Sequence, residues 1–228
     1  MKPELLRFGT SQSPVVVVDG FSGSVEDVAR LADALAPFPP IAGNYYPGVR
    51  RVIREADADA YAYVFETCRQ AAPFVGGAFE VDGFDLVEGS FSLVTLQPQE
   101  LEPVQRAPHF DSPDQNLFAL LHYLRVPPGS GTAFFRHRST GIERVTEATV
   151  HQFATAARSE AAKLPGDSGY MHGSDQYYKQ IGAVEGIPDR VIIYHSSLLH
   201  SGIIPPDMSF SADPSQGRLT ANLFLRGR

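Results

Sequence analysis

Hydrophobic and polar positions follow different periods in the two parts of the chain. In the first part, four β-branched residues at positions 15–18, bounded by turn residues, predict a buried strand. Ser24 precedes an acidic first turn and predicts the N-cap of a helix that runs to about Leu35. A second helix is predicted over residues 58–71, and the Pro-, Gly- and Tyr-rich segment 37–51 between the helices predicts an ordered loop.

From Phe79 onward the pattern alternates with a period of two, which is typical of strands. The predicted strands cover residues 91–97, 117–126, 132–135, 191–194 and 219–225. One helical spacing, between residues 146 and 163, interrupts them. Helices at the front and strands behind predict a mainly β chain of the α+β class. We expect a single domain, residues 1–228, with N-terminal helical and strand support in 1–78 and a β core in 79–228.

Composition narrows the classes of function. The 228 residues are 43% hydrophobic, which is enough for one large core. A net charge of −7 without a basic stripe argues against a nucleic-acid partner. Cys68 has no second cysteine to pair with, which favours a reducing compartment. Neither a signal peptide nor a bilayer-spanning run is readable, so we expect a cytoplasmic protein without membrane contact. No sequence feature selects an oligomeric state.

His109 and Asp111 are the first candidates for chemistry, with His200 much later in the chain. On an extended segment, side chains two residues apart point to the same face, so His109 and Asp111 can bind one metal ion. Two imidazoles and one carboxylate are the ligands of ferrous sites that keep positions open for oxygen and substrate. A chain with seven histidines also matches His-X-Asp by chance, so the hypothesis depends on the motifs that follow.

The other histidines of the second half are weighed in the same way. His122 is predicted to face away from the site, as a packed or hydrogen-bonded residue. His195 precedes His200 by five residues and competes with it as the third ligand. His137 and His151 lie in polar stretches and are predicted to be surface residues.

Four motifs then follow one another in order. They are His109-Phe110-Asp111, residues 120–124 leading into the glycine turn and strand 129–134, Leu199-His200-Ser201-Gly202, and Gly217-Arg218-Leu219-Thr220. Together they resemble the iron(II)- and 2-oxoglutarate-dependent dioxygenases, especially the prolyl-hydroxylase-like branch. The resemblance covers the C-terminal part of the chain. It implies a double-stranded β-helix core of jelly-roll, cupin-like type, which the N-terminal helices would flank.

The resemblance also implies roles for particular residues. The iron ligands would be His109, Asp111 and His200. Arg218 would bind the far carboxylate of the co-substrate 2-oxoglutarate, because arginine offers a planar bidentate fork that lysine lacks. Tyr123 would be a second contact to the same carboxylate, or a tyrosine that packs in the strand. Thr220 is a further candidate.

Two departures from the family's pattern concern the surroundings of the site. Segment 139–190 replaces a short hairpin, and we expect it either to form a lid or only to cover a sheet edge. The spacing from His200 to Arg218 is longer than usual and predicts an inserted loop. In the predicted loop 37–51, Tyr46 and Arg50 are candidate substrate contacts; the alternative is that this loop packs over a sheet.

The function implied by the resemblance is an iron(II)- and 2-oxoglutarate-dependent oxygenase. It would consume molecular oxygen, release succinate and carbon dioxide, and hydroxylate a small molecule or a peptide or protein side chain. The carboxylate of Asp111 argues against halogenation, since halogenases of this family have a small residue there. Two alternatives remain: a non-catalytic jelly-roll ligand-binding protein, and a cupin-like metalloenzyme that does not use 2-oxoglutarate.

Overall fold

Three helices and ten strands make up the described part of this computed structural model, residues 2–40, 46–166 and 168–228. The helices are α1 (Val25–Ala34), α2 (Ala58–Phe79) and α3 (Val150–Ala161). The first four strands are β1 (Lys2–Phe8), β2 (Ser13–Asp19), β3 (Gly48–Val52) and β4 (Phe84–Val94). The other six are β5 (Leu117–Arg125), β6 (Gly131–His137), β7 (Tyr178–Glu185), β8 (Arg190–His195), β9 (His200–Ile203) and β10 (Leu219–Gly227). Within these ranges, no helix has the length and apolarity needed to cross a bilayer.

The strands form two antiparallel sheets. The large sheet has the order β1-β2-β8-β5-β10-β4-β3, and the small sheet has the order β7-β6-β9. Their inner faces meet in one apolar cluster, to which the large sheet contributes Val15, Ala119 and Tyr194 and the small sheet Phe134 and Val184. Two facing antiparallel sheets in a mainly β chain confirm the predicted jelly-roll core.

Helices cover the outer faces of both sheets. On β2, Val16 packs in the cluster that includes α1 and α2, whereas its neighbour Val15 faces the small sheet. This strand is apolar throughout because both of its faces are buried. On the other side of the molecule, Phe153 of α3 packs in one cluster with Phe135 of the small sheet. The predicted N-terminal helices therefore do flank the core.

The predicted starts of α1 and α2 agree with the structure, whereas α3 begins at Val150, after the predicted start at residue 146. Helix α1 begins directly after Ser24 and stops before Leu35, as the pattern indicates. Helix α2 begins where predicted but continues beyond residue 71, through Pro73, to Phe79. The ring of Phe79 lies 4.6 Å from that of Phe118 on β5. Packing against the sheet thus extends the helix past a residue that usually ends one.

The predicted loop 37–51 is wrong at its C-terminal end. Residues from Gly48 onward form β3, an edge strand that pairs with β4, while residues 41–45 lie outside the described residues. Strand β1 at the opposite edge was also not predicted. Edge strands carry charged side chains, here Arg50 and Arg51, which obscure the alternation on which strand prediction depends.

The structure differs from the predicted division of the chain into an N-terminal support (1–78), a β core (79–228) and an insert (139–190). Strands β1 to β3 from the support region 1–78 belong to the large sheet, so the core does not begin at residue 79. Within segment 139–190, β7 pairs with β6 along its whole length. That strand is part of the core, and the lid hypothesis applies only to the residues that precede it.

Two buried polar side chains tie peripheral elements to the sheets. Glu143 accepts hydrogen bonds from the backbone and hydroxyl groups of Thr10 and Ser11, in the turn between β1 and β2, and pairs with Arg136 on β6. His137 is fully buried, so its predicted surface location is wrong. Its Nδ1 lies 2.8 Å from Oγ1 of Thr140, and its Nε2 lies 2.6 Å from Oε2 of Glu160 on α3. These partners allow a polar ring to be buried.

Candidate functional site

A pocket of about 130 Å³ lies between the two sheets. Because side chains alternate along a strand, the large sheet presents every second residue to it, including Ala119 and Leu121 of β5. Strand β10 contributes Thr220, Asn222 and Phe224 in the same way. The predicted residues that line this pocket are Tyr46, Arg50, His109, Asp111, His200, Arg218 and Thr220. The structure therefore brings predicted residues from four separate segments of the chain to one place.

His109, Asp111 and His200 converge on one point in the pocket. Nε2 of His109 lies 3.7 Å from Oδ1 of Asp111, and Nε2 of His200 lies 3.7 Å from Oδ2 of the same carboxylate. One ligand atom from each residue lies within 4.8 Å of the others. A single ion with bonds of about 2.0 to 2.2 Å can bridge atoms at nearly this spacing. The donor set, two imidazoles and a carboxylate, fits a ferrous ion with open coordination positions.

Backbone pairing holds the two histidines side by side. His109 and His200 exchange both backbone hydrogen bonds, at 2.9 and 2.8 Å, as an isolated bridge at the start of β9. Their rings are consequently 4.4 Å apart, centroid to centroid. The backbone N–H of Asp111 donates to the carbonyl of Ser196 at 2.8 Å. The segment around His109 is thus extended, as the shared-face argument requires.

Both imidazoles are held in the neutral form that a metal needs. Burial lowers the pKa of His200 to about 4, against the opposing effect of the Leu198 carbonyl. The side chain of His109 is 44% exposed, and its partial burial also lowers its pKa, helped by the nearby His200 and opposed by Asp111. Because a carbonyl only accepts, Nδ1 of His200 must donate the 2.8 Å hydrogen bond to Leu198. The lone pair of its Nε2 is therefore free to bind a metal.

Asp111 is the acidic member of the site. Burial raises the pKa of its carboxyl group, and the nearby His109 and Arg50 act in the opposite direction. The triad consists of one carboxylate and two neutral imidazoles, so it contains no positive charge to balance Asp111. A bound cation would supply that charge, which is how metal binding and ligand ionisation are coupled.

Arg218 is a buried cation in the same pocket. The residue is 5% exposed, its Nε donates to Ser130 Oγ at 2.7 Å, and a terminal nitrogen lies 3.4 Å from the Gly131 carbonyl oxygen. Among the ion pairs found in the described ranges, none joins Arg218 to an acidic side chain. An uncompensated buried charge is costly, so this guanidinium is suited to an anionic ligand.

Thr220 lies two residues after Arg218, and Tyr123 of β5 lies opposite Thr220 in the sheet. Thr220 lines the pocket directly. Tyr123 is fully buried, and its hydroxyl oxygen lies at a hydrogen-bond distance of 2.7 Å from Oγ1 of Thr132, which does line the pocket. Burial raises the pKa of Tyr123 to about 12, so the phenol stays protonated. The group that presents an oxygen to the pocket at this point is Thr132, with Tyr123 behind it.

Tyr46 and Arg50 also line the pocket, as does Tyr170. The hydroxyl of Tyr170 donates to the carbonyl of Leu96 at 2.7 Å, and its ring stacks with Phe210, 6.2 Å away. Tyr170 comes from segment 139–190, and Ile204, which also lines the pocket, comes from the predicted inserted loop after His200. Both departures from the family's pattern therefore contribute to the wall of the site.

Two candidate histidines lie outside the pocket. His195 packs between Phe79 and Phe118 on the helix side of the large sheet, and its Nδ1 lies 3.1 Å from the carbonyl oxygen of Gln115. His122 is buried on that side too, between Tyr63 and Asp189. Its predicted role as a hydrogen-bonded residue away from the site agrees with this position.

Sequence reasoning missed Thr132, Tyr194 and Asn222 as pocket residues. The ring of Tyr194 contacts that of His200 edge to face, at 4.9 Å. Tyr194 was missed because its strand, β8, is apolar on both faces, so no alternation of polar and apolar residues assigns it to the inner face. Asn222 could have been found from its position two residues after Thr220, since residues two apart share a face of the sheet.

Comparison with known proteins supports the fold and leaves the activity open. A family model described as "Family of unknown function (DUF6445)" matches residues 1–225. No curated protein matches the chain.

Solved structures with a similar fold are numerous but distant in sequence. The non-heme alpha ketoglutarate dependent epimerase SnoN, from nogalamycin biosynthesis, gives a TM-score of 0.57 at 14% identity, over 95% of this chain and 80% of that one. HygX from Streptomyces hygroscopicus, solved with nickel and 2-oxoglutarate, gives 0.54 at 15% identity, over 95% and 84%. The collagen prolyl hydroxylase vCPH from Paramecium Bursaria Chlorella virus-1 gives 0.51 at 12%, over 94% and 96%. At such identities the likeness establishes the jelly-roll fold alone.

Proposed function

The chain belongs to the family of unknown function DUF6445, and we propose that it is an iron(II)- and 2-oxoglutarate-dependent oxygenase. Its substrate would be a small molecule or a side chain of a peptide or protein. Hydroxylation is the proposed outcome, with molecular oxygen as the oxidant. The fold it shares with SnoN, HygX and vCPH is compatible with this proposal.

One observation carries the proposal: the three candidate iron ligands line the same pocket as a buried arginine that has no acidic partner among the described residues. The triad carries the negative charge of Asp111 and Arg218 carries a positive charge, so each favours a ligand of opposite charge. A metal ion satisfies the triad of His109, Asp111 and His200, and a carboxylate satisfies Arg218. 2-Oxoglutarate meets both needs at once, since its keto-acid end chelates a metal and its other end is a carboxylate.

Iron with bound 2-oxoglutarate would supply the oxidising chemistry, in which oxygen is consumed and succinate and carbon dioxide are released. The chain's own residues hold and orient the reactants. The Leu198 carbonyl fixes the tautomer of His200, and backbone pairing fixes His109 next to it. Arg218, steadied by Ser130, would place the co-substrate by a bidentate contact. Tyr194 and Leu121 form part of the pocket wall beside the ligands.

The activity is tested by adding ferrous iron and 2-oxoglutarate to the protein without oxygen. We expect the weak visible absorption band of an iron–2-oxoglutarate chelate with the wild-type protein and none with His200→Ala. His151→Ala, which changes an exposed histidine on α3, is the matched control and should keep the band. Absence of the band in wild type, or its survival in His200→Ala, contradicts the proposal. A metal-dependent absorption change that ignores 2-oxoglutarate would instead favour a cupin-like metalloenzyme.

Replacing Arg218 by lysine tests the co-substrate contact. Lysine keeps the charge but loses the bidentate fork, and a hydrogen bond to a charged group contributes about 1.5 to 3 kcal/mol. We expect the 2-oxoglutarate concentration for half-saturation of the band to rise about 10- to 100-fold. Arg226→Lys, at an exposed position near the end of β10, is the control and should leave it unchanged. Equal half-saturation in Arg218→Lys and wild type would rule out the assigned contact.

The reaction outcome is read from the product once a substrate is found. A product that has gained one oxygen atom identifies hydroxylation. A product of unchanged mass with altered stereochemistry identifies the type of reaction named for SnoN. Both outcomes use the same iron site, so this measurement does not affect the assignment of its ligands.

A further inference from the structure

A second arginine, Arg50 on β3, lines the pocket beside the proposed iron site. Its Nε atom is buried and has no hydrogen-bond partner in residues 2–40, 46–166 and 168–228. The ion pair it makes is loose, since 3.5 Å separates a terminal nitrogen from Oε1 of Glu88, a side chain that is 36% exposed. Its guanidinium also lies 5.5 Å from the centre of the Phe224 ring. Arg50 therefore keeps unused hydrogen-bonding capacity towards the pocket.

The sheet register places Arg50 on the same face as the proposed co-substrate site. Arg50 is opposite Ser92 on β4, and Ser92 is opposite Thr220 on β10. Directly opposite residues of antiparallel strands point to the same face, and Arg218 precedes Thr220 by two residues. At about 4.8 Å per strand, the backbone of Arg50 is about 10 Å from that of β10. The two arginines thus address one pocket from separate positions.

Electrostatic effects within the pocket agree with that placement. Burial raises the pKa of the Tyr46 phenol, and the charges of Arg218 and Arg50 both oppose the rise. Tyr46 therefore lies near both guanidinium groups, and it lines the pocket together with them.

In the loaded site, Arg50 adds a positive charge that the iron ligands and the co-substrate do not balance. If the proposed function holds, a ferrous ion, the Asp111 carboxylate, dianionic 2-oxoglutarate and Arg218 together are neutral. Arg50 then contributes one further positive charge, and its acidic partner among the described residues is the loosely held and partly exposed Glu88. The side chain of Arg50 is 19% exposed, and a largely buried cation with a free Nε donor beside a neutral centre favours an anion as the next ligand.

We propose that Arg50, with the Tyr46 hydroxyl beside it, binds a carboxylate or phosphate group of the primary substrate, which would therefore be an anionic molecule. This inference rests on the proposed function, because the charge balance assumes iron and 2-oxoglutarate in the pocket. Arg50 would hold the anionic end of the substrate and so fix which part of the molecule faces His109 and Asp111. It is assigned to specificity and positioning, apart from the co-substrate contact at Arg218.

A purely structural role for Arg50 makes a different prediction. In that case its contacts with Glu88 and Phe224 would stabilise the edge of the sheet, and no anion would bind beside the metal. The unpartnered Nε argues against this role, since a structural arginine buried at a strand edge usually has its donors satisfied.

The test uses two anionic probes on the protein loaded anaerobically with ferrous iron and saturating 2-oxoglutarate. Propionate and methyl phosphate are titrated separately, and broadening of their methyl proton signals by the nearby paramagnetic iron reports binding. We expect saturable broadening with at least one probe, and which one responds identifies a carboxylate or a phosphate substrate. Propionamide, the neutral counterpart of propionate, should not bind. Broadening by propionamide equal to that by propionate, or no saturable broadening by either anion, overturns the proposal.

Variants then locate the bound anion. Arg50→Gln should weaken probe binding at least about tenfold, the loss expected for a charged hydrogen bond. Arg50→Lys should recover part of the affinity, because it restores the charge without the fork. Arg69→Gln, an exposed arginine on α2, is the control and should bind the probe like wild type. Unchanged affinity in Arg50→Gln, or in Arg50→Lys if the first variant does not fold, overturns the assignment.

The result can be separated from the test of the proposed function. The visible band reports iron and 2-oxoglutarate, whereas probe broadening that depends on Arg50 reports the second anion. A band without Arg50-dependent broadening refutes the substrate inference alone. In the absence of a band, the probes are titrated with Mn²⁺ as the paramagnetic ion. Arg50-dependent broadening then supports an anion site although the oxygenase proposal has failed, and its absence refutes both.

Discussion

Replacing Asp111 by asparagine is expected to weaken ferrous iron binding, and 2-oxoglutarate turnover with it, by at least about a hundredfold. Loss of residues that only support metal ligands already costs about 10- to 100-fold, and Asp111 is proposed as a ligand itself. The amide keeps the shape of the side chain but removes the negative charge that faces both Nε2 atoms at 3.7 Å. The measurements are the iron dissociation constant and the rate of succinate release from 2-oxoglutarate.

The control for this prediction is Asp114→Asn. Asp114 lies three residues further on, at the surface, 3.4 Å from Arg226. It makes no contribution to the pocket, so iron affinity and succinate release should match wild type. If Asp111→Asn binds iron as tightly as Asp114→Asn does, the triad is not the metal site.

Replacing Glu143 by glutamine should lower the free energy of unfolding by about 2 to 4 kcal/mol at neutral pH. Burial alone would raise the pKa of Glu143, but hydrogen bonds from Ser11, Thr10 and Arg136 lower it to about 2. The depressed pKa means that the carboxylate stabilises the folded state above the ordinary value near 4.5. This stabilisation is lost as the pH falls from about 4.5 towards 2. The variant lacks it at every pH.

Denaturant unfolding from pH 7 to pH 3 measures this effect. Wild type should lose stability over the acidic part of the range, and the difference between wild type and Glu143→Gln should shrink there. Glu147→Gln, an exposed glutamate four residues later, is the control and should stay within about 0.5 kcal/mol of wild type. A difference from wild type that is constant with pH would show that the carboxylate charge of Glu143 is not responsible.

The site combines two kinds of support that differ in origin. The metal ligands are held by the backbone, through the bridge between His109 and His200 and the hydrogen bond from Asp111 to Ser196. The arginines are held by side chains and sheet register instead, Arg218 through Ser130 and Arg50 through its place opposite Ser92. We expect that substitutions of the arginines change ligand binding and leave the positions of the metal ligands unchanged, because different contacts hold the two groups.

Prediction from sequence succeeded where a local pattern has one structural meaning. The run at 15–18, the cap at Ser24 and the turn after β5 lie where expected. It failed at β1, β3 and β7, whose polar residues hide the period of two. These strands are selected by their partners in the sheet, and a local window contains no information about a partner far away in the chain.

Burial of polar groups was the second source of error. His137 has polar neighbours in sequence and was predicted at the surface, yet it is buried. Its partner Glu160 lies on α3, more than twenty residues later, and satisfies the ring there. Tyr194 was missed for the converse reason, since nothing in its apolar strand distinguishes the pocket face from the helix face. In both cases a contact between distant segments decides the environment of the residue.

The sequence by itself determined the mainly β class, the order of the motifs, and the identity of His109, Asp111, His200 and Arg218 as candidates. It could do so because residue type and short-range spacing limit which side chains can bind a metal or a carboxylate. Only the tertiary structure decided that these residues share one pocket, that Arg218 is buried with no acidic partner in residues 2–40, 46–166 and 168–228, and that the buried Nε of Arg50 has no hydrogen-bond partner there. Those properties depend on strand register and on burial, which arise when segments far apart in the chain pack together.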